Sequence, residues 1–195
     1  MTLYKNKYRV ESTRLKGWDY SSPAAYFITI CTKNREWLFG DVVQKSMFLN
    51  NNGKIVEKCW FDLPQHYENL KLDQFVIMPN HVHGIMMIDI ENVPAFRVET
   101  GLKPVSTETS TTKTTDMDNR KKKPHGLFEF VRALKTFSAR RINEHRKTYG
   151  KPVWQTRFYD RIIRDDNELY RIRNYIMDNP ANWKNDENFT TEVTP

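Results

Sequence analysis

The chain has 195 residues, 38% apolar and 13% aromatic, which suits one domain plus decoration at ~150 residues per domain. Lys and Arg number 31 against 24 Asp and Glu, a net charge of +7 that points to an anionic partner. No run approaches the ~18 apolar residues of a membrane span, and Cys31 and Cys59 are too few for a disulfide framework or a four-thiolate zinc site.

In chain order, the polar residues 1–20 do not read as a secretory leader, so the expected setting is the cytoplasm. Residues 25–32 are aromatic and β-branched, and predict a buried first strand. Asn51-Asn52-Gly53 reads as a turn. After it Ile55, Val56, Cys59, Trp60 and Leu63 recur at helical spacing until Pro64 stops the first helix. Residues 72–78 and 81–88 read as two strands, and the short Pro79-Asn80 connection makes them an antiparallel pair.

Composition then changes. Residues 91–125 are rich in Thr, Ser and Lys, bury too little apolar surface to offset their ordering entropy, and are expected to be a mobile insertion. From Gly126, the residues Leu127, Phe130, Val131, Leu134, Phe137 and Ile142 mark a second helix, with Arg132, Lys135 and Arg140 off that stripe. Residues 159–164 predict a fourth strand. Asp165 or Asp166 then caps a last helix whose Leu169, Ile172 and Ile176 face the core, and Asn179-Pro180 ends it. The order β-α-β-β-α-β-α predicts an α+β, ferredoxin-like antiparallel sheet with helices on one face and an appended C-terminal helix. The expected organisation is one domain over 1–183, followed by an acidic tail over 184–195.

Charge is unevenly placed. Residues 1–119 carry 14 basic and 14 acidic side chains, whereas residues 120–173 carry 16 basic against 6 acidic. That stretch has the footprint of a phosphate-backbone binder, and the rings interleaved around Trp154 and Arg157 favour unpaired bases. Trp154, Arg157, Arg161 and Arg164 are the leading candidates for contacts to nucleic acid, followed by Arg132, Lys135 and Arg140. Trp154 serves equally well as a core anchor.

The sharpest local pattern is His81-Val82-His83. Side chains at i and i+2 of a strand share a face, so the two imidazoles can point together while Val82 packs on the other side. Two neutral imidazoles make two legs of a metal site. On the last helix Tyr175 and Asn179 stand one turn apart, offering a phenol and an amide carbonyl on one face.

The His-Val-His pair after Met78-Pro79-Asn80, the block from Val153 to Arg164, and the run from Tyr175 to Pro180 together resemble the REP-associated tyrosine transposases. Those belong to the single-tyrosine HUH superfamily. The resemblance extends to Arg14-Leu15, Trp18-Asp19-Tyr20 and residues 26–35, leaving out the 91–125 insertion and the tail. It implies a DNA strand transferase in which Tyr175 is the nucleophile and His81, His83 and Asn179 hold a divalent metal. Softness of the donors favours Mn2+, and cellular abundance favours Mg2+. The expected partner is single-stranded or hairpin DNA, with no membrane involved; monomer and homodimer both stay open. The competing readings are a non-catalytic nucleic-acid-binding module on the same sheet and a domesticated relative that no longer moves DNA.

Overall fold

The computed structural model of the chain describes residues 3–4, 7–8, 14–88 and 125–190. A short hairpin, β1 (Leu3–Tyr4) and β2 (Lys7–Tyr8), precedes the main sheet. That sheet is built from β3 (Ala24–Cys31), β6 (Leu70–Met78), β7 (His81–Ile88) and β8 (Tyr159–Ile163). A second hairpin, β4 (Gly40–Val43) with β5 (Ser46–Leu49), lies between β3 and the first helix. The helices are α1 (Asn51–Asp62), α2 (Leu127–Arg146) and α3 (Asp166–Asp178).

The sheet order is β6-β7-β3-β8 with every neighbouring pair antiparallel, which is the ferredoxin-like arrangement. Alternation of side chains divides the two central strands between two cores. Ala24, Tyr26, Ile28 and Ile30 of β3, with Val82, Met86 and Ile88 of β7, join α1 and α2 in the larger core. Ala25, Phe27 and Ile85 point the other way and pack with Ile163 and Ile176 in a smaller core, against which Leu169 and Ile172 also lie. Two helices therefore cover one face, and α3 covers the other. This is the layout the sequence predicts.

One local expectation is corrected. Asn51-Asn52-Gly53 is not a turn but the first turn of α1, because the Asn50 side chain accepts from the backbone N–H groups of Asn52 and Gly53 and caps the helix there. Residues 184–190, read as the start of an acidic tail, fold back onto the domain. A short 3₁₀ turn, Trp183–Asn185, sends the chain back, and Trp183 and Phe189 pack with Trp37 at ring separations of 5.1 to 6.1 Å. Arg35 and Trp37 then hold Glu187 O and the Thr190 hydroxyl by hydrogen bonds of 2.8 and 3.3 Å. Apart from His125, the 91–125 insertion lies outside the described residues. Among the described residues no helix is long and apolar enough to cross a membrane.

Candidate metal and tyrosine site

His81 and His83 occupy the α3 face of β7, both buried, and Val82 is wholly buried on the opposite face. Register explains the hydrogen bonding of His83. Thr29 lies directly across from it on β3, and the Thr29 hydroxyl meets His83 Nδ1 at 2.8 Å. His81 is oriented differently, through the Asn80 side chain. Asn80 spends its amide protons on Arg35 O and Asn188 O, so its Oδ1 can only accept, and His81 Nδ1–H must donate to it at 2.8 Å. This fixes the tautomer, leaving a lone pair on His81 Nε2. Burial first, and then the neighbouring His83, hold the His81 imidazole well below its usual pKa.

That lone pair faces His83 Nε2 at 3.0 Å. Helix α3 brings Tyr175 to the same place, its hydroxyl 3.2 Å from His83 Nε2. The helix is placed by its two ends. Asp165 caps it by accepting from Glu168 N at 2.7 Å, and buried Glu168 accepts from Arg164 N and pairs with Arg161 on β8. Nearer the site, Arg173 grips Asp73 on β6 with two nitrogens, beside the bulge between Leu72 and Phe75. Phe27 packs edge-on to Tyr175 at 6.0 Å and stacks on His83 at 5.4 Å.

Asn179 sits one turn beyond Tyr175 and is buried, as the sequence places it. Its Nδ2 donates to Asp186 Oδ2 at 2.9 Å, while its Oδ1 is buried without a partner. Asp186 is the residue that sequence reasoning missed. Its carboxylate lies 3.9 Å from His83 Nε2 and 3.5 Å from the Tyr175 hydroxyl, and its other oxygen accepts from Asn188 N at 2.6 Å. The possible ligand atoms of His81, His83 and Asp186 all lie within 4.8 Å of one another, so this group could bind a metal. Burial opposes ionisation of Asp186, but contacts to His83, Asn179 and the Asn188 amide outweigh it and hold the carboxyl well below the usual range.

Two further observations fit a cation here. The His81 Nε2 lone pair meets His83 Nε2 at 3.0 Å, where either a proton on His83 Nε2 or, in its place, a cation would satisfy it. Burial, followed by the Asp186 and Glu187 charges, pushes the Tyr175 phenol up to about 12, the wrong direction for a nucleophile unless positive charge is added. Tyr175, Asn179 and Asp186 line an open cleft of about 450 Å³ together with Arg171 and Asp178.

The candidates for contacts to DNA divide. Trp154 is buried, donates from Nε1 to Ser138 Oγ at 2.9 Å and packs on Phe39, so its ring belongs to the core and is withdrawn from bases. Lys135 is committed to the carbonyls of Gln155 and Thr156 at 2.6 and 3.0 Å. Arg132 and Arg140 are exposed and pair with Glu129 and Glu144 along α2. Arg161 pairs with Glu168, whereas Arg157 and Arg164 are exposed with no ion pair among the described residues.

An α+β sandwich with a strand His-x-His, a helix tyrosine and a carboxylate on one face is thus the class of protein defined here. No protein-family model matches the chain. An uncharacterized protein of Haemophilus influenzae Rd is 35% identical over 176 residues, covering 90% of this chain and 91% of that one, and the chain belongs to the same family. A solved REP-associated tyrosine transposase bound to a REP hairpin is similar over 90% of this chain and 74% of its own, with a TM-score of 0.53 at 16% identity. The chain has the fold of that transposase.

Proposed function

We propose that this protein is a metal-dependent single-stranded DNA endonuclease and strand transferase of the REP-associated tyrosine transposase type. The observation that carries this reading is the contact of the Tyr175 hydroxyl with His83 Nε2, which in turn meets His81 Nε2, with the Asp186 carboxylate beside them. His81 and His83 would hold a Mg2+ or Mn2+ ion, with the third donor drawn from the Asn179–Asp186 pair. When bound, such an ion supplies the positive charge that a phosphate needs beside Asp178, Asp186 and Glu187.

In this chemistry the Tyr175 oxygen attacks the scissile phosphorus, forming a 5′-phosphotyrosine bond as the phosphorus–O3′ bond breaks. The phenol gives up its proton to water and the departing 3′ oxygen takes one up. One phosphodiester is exchanged for another, so a second DNA end can reverse the step without an external energy source. Phe27 keeps the phenol against His83, and the Asp73–Arg173 fork fixes the helix that carries it. Exposed Arg157 and Arg164, with Arg132, Arg140 and Arg161 after exchange of their carboxylate partners, supply phosphate contacts.

A radiolabelled hairpin with a single-stranded flank tests the reading. With Mn2+ the wild-type chain forms a covalent adduct that survives denaturing electrophoresis, and Tyr175→Phe forms none. Binding without cleavage or adduct at any divalent metal would instead identify a non-catalytic module.

A further inference from the structure

The block between Val153 and Arg164 carries three rings, Trp154, Phe158 and Tyr159. The fold withdraws two of them. Trp154 is buried, and Phe158 packs against the larger core with Phe128 at 6.0 Å and the Arg14 guanidinium at 5.2 Å. Tyr159 stays 45% exposed, and among the described residues its hydroxyl has no hydrogen bond.

Strand β8 lies at the edge of the sheet, and its register carries Tyr159 to the site. Tyr159 is across from Thr29 on β3, and Thr29 is across from His83 on β7. Cross-strand partners share a face, so Tyr159 stands on the α3 face in the same row as His83. Helix α3 covers Ile163 at the far end of β8 and leaves Tyr159 open. Phe27 touches both tyrosines edge to face, Tyr175 at 6.0 Å and Tyr159 at 6.3 Å. The two phenols are therefore no farther apart than those separations laid end to end, about 12 Å. An edge-to-face contact uses at most one face of a ring, so a face of Tyr159 remains for a ligand. Arg161 shares this face of the sheet two residues on, and Arg157 is exposed two residues before. Tyr149 and Tyr170 are more exposed, but among the described residues they have no ring contact that ties them to the site.

We infer that Tyr159 is a stacking platform for an unpaired nucleobase next to the phosphate that Tyr175 attacks. The inference rests on the single-stranded DNA reading above and deepens it. The ring takes the base while Arg157 and Arg161 take the phosphates on either side of it. Every base has a π face, so the platform holds the strand in place without reading its sequence. No bond is made or broken at Tyr159, which is a positioning residue.

The test measures binding of the full chain to a hairpin oligonucleotide with a single-stranded flank, with no divalent metal present so that no strand is cut. Tyr159→Ala weakens binding about 5- to 150-fold and Tyr159→Phe keeps wild-type affinity. Neither changes the salt slope, because no phosphate contact is lost. Abasic sites placed one at a time along the flank complete a double-mutant cycle. At one position, adjacent to the phosphate that the wild-type chain cleaves with Mn2+, removing the base weakens wild-type binding and costs Tyr159→Ala nothing further. Exchanging that base for another natural base changes little. Wild-type affinity in Tyr159→Ala, additive losses at every abasic position, or coupling only at a position remote from the cleaved phosphate overturns the inference, while an intact Tyr175 adduct leaves the transferase reading standing. A wild-type chain that does not bind the oligonucleotide overturns both.

Discussion

Gly84 stands between His83 and Ile85 on β7, across from Ile28 and Phe75, and its bare Cα makes room for the Trp60 indole. A Cβ at this position would lie 2.9 Å from Trp60 Cζ2 and closer still to Cη2. The ring has nowhere to retreat, because it is wholly buried and stacks on Phe75 at 5.1 Å and 9°. Two effects oppose each other in Gly84→Ala. Fewer unfolded conformations would stabilise the fold by ~0.4–1 kcal/mol, whereas overpacking costs ~1–3 kcal/mol. Overpacking wins, for a net loss of ~1–2 kcal/mol, or ~2–8 °C in Tm for a chain of this length. Urea and thermal unfolding monitored by circular dichroism measure it, and the same substitution in a Trp60→Leu background supplies the control. The alanine costs less there, since the ring it strikes is gone. Wild-type stability in Gly84→Ala, or equal losses in both backgrounds, refutes the reasoning.

Other consequences are sharper at the periphery of the site. The Arg173 hydrogen bonds hold the Asp73 carboxyl below its usual range, so its contribution is present above the unfolded value of ~3.9 and is lost as the pH falls below it. The gap in urea midpoint between wild type and Asp73→Asn accordingly narrows on acidification, and a constant gap from pH 7 to pH 3 excludes this ion pair as its source. Arg157→Ala reduces the salt slope of single-stranded DNA binding by about one unit, while Trp154→Phe destabilises the fold and leaves the slope unchanged. A slope unaltered in Arg157→Ala removes that residue from the interface.

The sheet was legible because period-two alternation on β3 and β7 has direct physical meaning: each odd residue faces α3 and each even one the larger core. The same rule placed His81 and His83 together and Val82 behind them. Helical spacing similarly put Tyr175 and Asn179 on one face of α3. What the sequence hid depends on partners distant along the chain. Asp186 looks like one acid among several in a polar stretch, and only the return of the backbone after Trp183 brings it to β7. Asn51-Asn52-Gly53 has turn composition, but the Asn50 cap and a backbone approach from Phe39 O at Gly53 make it helical. Trp154 sits in a basic, aromatic neighbourhood that leaves a base contact and a core role equally open, and Ser138 and Phe39 decide for the core. The β4–β5 hairpin, with Gln44 and Lys45 both at positive φ, lacks the Asn-Gly signal that announces such turns.

Mass-spectrometric mapping of the trapped adduct tests the central claim most directly. Wild-type protein, hairpin DNA and Mn2+ are predicted to yield one modified peptide, with the downstream DNA fragment joined through its 5′ phosphate to Tyr175. A linkage on another side chain, such as the exposed Tyr159 beside Phe27, or cleavage with no protein–DNA bond, contradicts the account.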